Sequence, residues 1–222
     1  MQIDIVSDTI CPWCHIGRKR LHRALASRPD LPITIHWHPF QLAPDLPREG
    51  VDRKEYLQKK FGGEERARHI YDTIREAGAE DDIDFRFDRI KRTPNTFDSH
   101  RLILWAGGAG CQDEIVGILF RLYFEEGADV GDPDVLAGAA AEAGMDGDLV
   151  RQLLAGDTDR ELVQAEIEVA HRLRISGVPS FIIDEKYMIS GAQEPEALTG
   201  LLDRIAAQSA ATGEAVSPSN PV

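Results

Sequence analysis

The chain opens on an alternation. Met1, Ile3 and Ile5 fall on one side and Gln2 and Asp4 on the other, which predicts a strand over residues 1–7. The period then lengthens. Cys14, Leu21, Ala24 and Leu25 share a helical face between Pro12 and Ser27, and Pro29 and Pro32 end the helix. Pro12 suits the first turn, where its missing N–H is no loss. Residues 33–37 alternate again and predict a second strand. Strand, helix, strand in that order is a βαβ unit, with a right-handed crossover.

From Gln41 to Gly50 the sequence reads as a proline-rich loop, and after it the pattern is helical without strands. Helices are predicted over residues 53–61, around Ala67–Ala77, and over 97–109, 113–126, 134–143, 146–154 and 159–173. Thr93-Pro94-Asn95-Thr96 reads as a cap for the third of these, and Gly127, Gly144 and Gly156 stand where helix C-terminal glycines belong. Residues 81–92 read as a charged loop with an extended piece at Phe85-Arg86-Phe87. The acidic runs Glu64-Glu65 and Glu80-Asp81-Asp82 read as solvated. Residues 181–183 and 187–189 then form a hairpin across a three-residue turn, a last helix spans 195–208, and the Ala/Ser/Pro/Gly-rich tail 209–222 is expected to be disordered. The order is βαβ, helices, ββα. It predicts an α/β protein: residues 1–40 and 174–208 build one discontinuous domain around a four-stranded sheet, and 41–173 form a large all-helical insertion with its connecting helix.

Composition narrows the function. The 222 residues are 42% hydrophobic and 28% charged, as expected of a folded protein, and carry a net charge of −13. That charge argues against nucleic acid and against anionic membrane surfaces as partners. No apolar run is long enough to span a bilayer, and the N-terminus has no basic n-region or apolar h-region, so a cytoplasmic location is expected. Three cysteines exclude a disulfide scaffold.

Two of those cysteines change the picture. Cys11-Pro12-Trp13-Cys14 lies at the predicted strand-to-helix junction. The first thiol would sit at a helix N-terminus, where unpaired N–H groups and the helix dipole favour a thiolate, and the second one turn on, near enough to close a disulfide. This reads as a redox dithiol. A half zinc site is the alternative, and it needs two more ligands; Cys111 and seven histidines supply no second Cys-X-X-Cys and no His-X₃-His, so no metal is expected. Cys111 reads as a free, partly buried thiol. His15 reads either as a group that steadies a thiolate or shuttles a proton, or as a solvated histidine on the helix surface. His36 and His38 read as structural.

Together the Cys-Pro-Trp-Cys opening, Gly177-Val178-Pro179 before the third strand and the internal helical insertion resemble the thioredoxin superfamily, and within it the DsbA-like branch. Asp8-Thr9-Ile10, His15-Ile16-Gly17, Pro94-Asn95-Thr96, Ser99-His100-Arg101-Leu102 and Ser190-Gly191-Ala192-Gln193 look like the FrnE-type DsbA-like oxidoreductases. The resemblance implies a thioredoxin fold, Cys11 as nucleophile, Cys14 as resolving thiol, and a cis peptide between Val178 and Pro179 beside the dithiol. It implies substrate contacts at Pro12, Trp13, Val178 and Pro179, and at Asn95 and His100 from a segment lying over the site. The partner would be a thiol or disulfide substrate, a protein or peptide, with no cofactor beyond glutathione as a co-substrate; relatives form homodimers. Kappa-class glutathione transferases and 2-hydroxychromene-2-carboxylate isomerases share this architecture and make glutathione-dependent transfer or isomerisation the alternative. They carry a serine at the first active-site position, where this chain has Cys11. Some FrnE-type members add a second cysteine pair that assists isomerisation; this chain lacks it.

Overall fold

A computed structural model describes residues 1–212. Strand β1 (Gln2–Ser7) is followed by α1 (Pro12–Ala26) and β2 (Thr34–Pro39). Near the other end come β5 (Ser180–Ile183), β6 (Tyr187–Ser190) and α9 (Pro195–Thr212). The four strands form one sheet in the order β2-β1-β5-β6. β1 and β2 are parallel, and β5 is antiparallel to both β1 and β6. This is the βαβ…ββα thioredoxin-type core with a large helical insertion.

Alternation along β1 divides the sheet into two faces. Ile3 pairs with Ile35 and Ile183, and Ile5 with Trp37 and Phe181. Ile3, Ile5, Trp37, Phe181 and Ile183 are all buried, on the face shared with Ile16, Leu21 and Ala24 of α1 and Leu198 and Leu202 of α9. Gln2, Asp4 and Val6 point to the opposite face, which α8 (Arg160–Arg172) covers in part.

The insertion starts with a ladder that periodicity could not reveal. β3 (Val51–Asp52) pairs antiparallel with β4 (Arg92–Thr93), so the helical stretch is not free of strands. Two residues are too short to show a period of two. The same Asp52 then caps α2 (Arg53–Phe61), its carboxylate accepting from the backbone N–H groups of Lys54 and Glu55. α3 (Glu64–Ala79), α4 (Phe97–Ala109), α5 (Gln112–Arg121), α6 (Pro133–Glu142) and α7 (Gly147–Ala155) complete it.

Four expectations are corrected. Phe85 and Phe87 form no strand; their rings stack at 5.0 Å inside an aromatic cluster with Phe124 and Tyr71, and Arg86 N–H donates to Phe124 O. Asp81 is not solvated: it is 2% exposed and bridged by Arg20 and Arg23 of α1. The predicted 113–126 helix widens after Arg121 into a π-helical turn, Leu122–Glu126, which Gly127 ends at φ +77°. The last helix passes Gln208 and continues to Thr212, as its alanine-rich sequence favours; the rest of the tail expected to be disordered, 213–222, lies outside the described residues.

Candidate active site

The strand-to-helix junction after β1 is held tightly. Cys11 N–H donates to Asp8 O at 3.0 Å, and Cys11 takes the N-cap position of α1 with φ −93° and ψ 110°. Its side chain caps nothing, which leaves the sulfur free for other partners. Pro12 fills the first turn. The Cys11 carbonyl accepts from Cys14 N–H at 3.0 Å, which turns Cys14 under Cys11. Both thiols are free. Cys14 is fully buried and Cys11 4% exposed. Burial, and after it the adjacent Cys11, push the Cys14 thiol well above its ordinary range; the Ser7 side chain and the Asp8 backbone oppose this. The outer sulfur is therefore the one that meets solvent, with a protonated thiol stored behind it.

Across the sheet lies the segment before β5. The Val178–Pro179 peptide is cis, as the sequence resemblance implied. Cys11 Sγ donates to the Val178 carbonyl at 3.5 Å. Pro179 is buried against α1: a Cβ on Gly17 would stand 3.0 Å from Pro179 Cγ and 3.2 Å from Phe181 Cζ. Glycine at position 17 lets the helix approach this closely. Pro179 O accepts from Gly191 N–H at 2.8 Å, which ties the segment to the end of β6.

Two large apolar side chains are open on the segments that meet here: Trp13 is 37% exposed and Leu42 38% exposed. Periodicity gave no sign of Leu42, because a long-range contact brings its segment to this junction. Asp8, wholly buried, accepts from Leu42 N–H at 2.7 Å and so ties the proline-rich loop to the turn that leads into Cys11. Asn95 pins the same loop. Its amide donates to Leu46 O at 2.7 Å, and its oxygen accepts from Gln41 Nε2 and Phe97 N–H.

His100 is turned into the fold. It is 3% exposed, hydrogen-bonded to Phe40 O at 2.9 Å and 3.7 Å from Asp8 Oδ1. Thr9 Oγ1 and Ser99 Oγ make a second buried bridge at 2.9 Å. The 95–100 segment therefore braces the loop that carries Cys11 from behind. Asp8, Thr9 and Ser99 stand within the motifs that carry the family resemblance, but nothing local in the sequence assigned them that role.

His15 is not on the surface. It is 2% exposed, stacks on Phe120 at 5.1 Å and meets Glu125 through Nε2 at 3.2 Å. The π-helical turn carries that Glu125. Burial lowers the His15 pKa against the opposing effect of Glu125. Cys111 stands at the N-cap position of α5 without a side-chain capping bond, a free, partly buried thiol whose pKa is raised by burial and then by Glu114. Among the described residues no three His, Cys, Asp or Glu side chains converge as metal ligands, and no helix is long and apolar enough to cross a membrane.

This geometry coincides with what sequence comparison finds. The family model for the DSBA-like thioredoxin domain matches residues 2–203. The chain belongs to the DSBA-like thioredoxin domain family. Protein SCO1869 of Streptomyces coelicolor, described as a probable DsbA oxidoreductase, is similar over 100% of this chain and 94% of its own, with 30% identity and a TM-score of 0.83. YwbO of Bacillus subtilis (strain 168), an uncharacterized protein, is 25% identical over 86% of this chain and 90% of its own length. A 2-hydroxychromene-2-carboxylate isomerase shares the fold alone, at 16% identity, a TM-score of 0.73, and coverage of 96% of this chain and 99% of that one. Membership classifies the chain as a DsbA-like thiol-disulfide oxidoreductase.

Proposed function

We propose that the chain exchanges thiols and disulfides through Cys11-Pro12-Trp13-Cys14, by way of a mixed disulfide at Cys11. The observation that carries this is the stacked pair itself: an outer sulfur at a helix start beside the Val178 carbonyl, and a buried thiol one turn behind it. In the reducing direction the Cys11 thiolate attacks one sulfur of a substrate disulfide. A Cys11–substrate S–S bond forms, and the other substrate sulfur leaves as a thiolate and is protonated. Cys14 then loses its proton and attacks Cys11 Sγ, releasing the second substrate thiol. Two electrons pass to the substrate, and the Cys11–Cys14 disulfide remains. The oxidising direction is the reverse.

The raised Cys14 pKa keeps the resolving thiol protonated until the mixed disulfide has formed, and Ser7 is the side chain placed to assist its ionisation. Trp13 and Leu42 form the apolar rim for a protein or peptide substrate, and the backbone around Val178 gives an extended chain something to pair with. The Ser99–Leu102 and Ser190–Gln193 segments support the FrnE-type subgroup, and a cytoplasmic site of action goes with that reading. Glutathione is the small co-substrate that the same exchange at Cys11 would take. Transfer to an electrophile is the weaker reading, because it rests on a shared fold and uses neither the second thiol nor its burial.

Cys14→Ser is expected to accumulate a substrate mixed disulfide on Cys11, seen as a mass adduct that dithiothreitol removes. Cys11→Ser is expected to abolish insulin reduction and thiol oxidation alike. Turnover retained in Cys11→Ser would overturn the assignment. The reduction potential of the pair then sets the direction: a value near thioredoxin's ~−270 mV would make it a reductase, one near DsbA's ~−120 mV an oxidant.

A further inference from the structure

The sheet face turned away from α1 holds a groove that the thiol chemistry does not use. It has a volume of about 600 Å³ and lies between the β1–β5–β6 surface and α8. That size falls in the range of small-molecule sites, roughly 300–1,000 Å³. One side is apolar. Val169 of α8 and Leu173 just past its end are 42% and 52% exposed, Met188 of β6 is 57% exposed, and Ile182 lines the groove with them. Large apolar side chains left this open along one groove mark a binding surface more often than scattered ones do.

The other side is ionic. His38 Nε2 meets Asp4 Oδ1 at 2.9 Å, and His38 Nδ1 lies 3.7 Å from Glu166 Oε2. Gln2 Nε2 donates to both Asp4 oxygens at 2.9 Å. Asp4 is thus fully engaged, while Glu166 reaches His38 at 3.7 Å through one oxygen. Against the lowering effect of burial, the Asp4 hydrogen bond and then Glu166 raise the His38 pKa to about 9, so the ring is charged at neutral pH. Two carboxylates and one imidazolium leave the cluster at −1. Glu185 and Lys186 at the groove's end cancel each other. An anion entering here would meet net negative charge, and a cation would find the Glu166 carboxylate, whose side chain is 36% exposed.

We infer that this groove binds an amphipathic organic cation, an amine whose ammonium pairs with Glu166 and whose hydrocarbon body lies over Val169, Leu173 and Met188. The binding is independent of the proposed disulfide exchange, because the dithiol belongs to the opposite side of β1.

The probe is 4-phenylbutylamine, titrated calorimetrically into the full chain at pH 7, with 4-phenylbutyrate and 4-phenylbutanol as controls. The amine is expected to bind saturably and at least tenfold more tightly than either control. Glu166→Gln should weaken it at least fivefold, and Val169→Lys, a change at an exposed position, should abolish it. Cys11→Ser should bind it as the wild type does, so loss of exchange activity and loss of this site are separable. Equal affinity for amine and alcohol, or tighter binding of the carboxylate, would overturn the inference. So would a Val169→Lys effect confined to self-association in sedimentation velocity, which would make the groove a contact between copies of this chain.

Discussion

Arg20 offers the sharpest test of how the dithiol helix is held. Its guanidinium is buried where three segments meet. Nε donates to Asp81 Oδ2 at 2.6 Å, and Nη1 donates to Ala192 O at 3.0 Å and to Glu194 Oε1 at 2.5 Å. Arg20→Met keeps most of the side-chain volume and removes the charge. Asp81, only 2% exposed, then keeps Arg23 Nη2 at 3.0 Å as its one remaining ion-pair partner, from a side chain that is itself 49% exposed. Removing one member of a buried pair costs 3–5 kcal/mol in general, and the surviving Arg23 contact sets the expectation at the lower end, about 3 kcal/mol. With a urea slope of about 2–3 kcal/mol per molar, the unfolding midpoint should fall by about 1 M. The loss comes from stranding a buried carboxylate, so Arg20→Met/Asp81→Leu should recover about 2 kcal/mol relative to the single variant. Urea titrations followed by tryptophan fluorescence measure both. A single variant within 0.5 kcal/mol of wild type would refute the reasoning. A double variant no better than the single would place the loss in the contacts to Glu194 and Ala192 instead.

Further expectations concern the site and the back of the sheet. Gly17→Ala places a methyl 3.0 Å from Pro179 Cγ; overpacking of about 2 kcal/mol outweighs the ~1 kcal/mol gained in helix propensity, so a net loss of about 1 kcal/mol and slower thiol exchange are expected. Gly108→Ala, where an added Cβ meets nothing within 4 Å, should instead stabilise α4 by up to ~1 kcal/mol in the same assay. Trp13→Ala should raise KM for a disulfide peptide about tenfold, ~1.4 kcal/mol of rim contact, with little change in kcat; an unchanged KM would remove Trp13 from the binding surface. His38, raised to about 9 in the folded chain from about 6.5 unfolded, contributes stability that is complete below pH 6.5 and is lost as the pH rises through 9. Its side chain is 38% exposed, so screening reduces this to about 1 kcal/mol, or 2–4 °C in Tm. The difference in Tm between wild type and His38→Gln should shrink by that amount from pH 6 to pH 10.

The sheet was legible because one face is buried: Ile3 and Ile5 alternate against Gln2 and Asp4, and a one-residue error would invert every contact. The strand-to-helix junction that carries Cys11 and Cys14 was legible because the apolar period changes from two to the helical spacing just after Pro12. The parts that escaped depend on partners distant in sequence. Asp81 sits in an acidic run that looks solvated until Arg20 and Arg23 arrive from α1. His15 follows the dithiol on α1 and is covered by Phe85, Phe120 and Phe124, all more than 60 residues away. The π-helical turn preserves apolar spacing well enough to read as plain helix, and only the Glu125–His15 contact shows its consequence. Asn95 and His100 were singled out by resemblance alone; their partners, Gln41 and Leu46 for Asn95 and Phe40 and Asp8 for the buried His100, lie too far off in sequence for any local pattern to show.

These long-range contacts share a target. α1 is gripped on three sides: Gly17 seats Pro179, Arg20 joins Asp81 to Glu194, and Arg18 and His22 both reach Asp113. Asp113 also accepts from Trp37 Nε1 of β2. Burial would raise its pKa; His22 and Arg18 outweigh that and hold it at about 2. Two of these grips, Asp81 and Asp113, come from the helical insertion. The rim residue Leu42 is held by Asp8, and Asp8 in turn lies beside His100 of α4. The insertion therefore fixes both the axis of the helix that carries the dithiol and the loop that Asp8 holds beside the start of that helix. Changes within it should alter which substrates reach Cys11 before they alter the chemistry at Cys11, because Cys14 and the Val178 carbonyl are supplied by the sheet and its own helix.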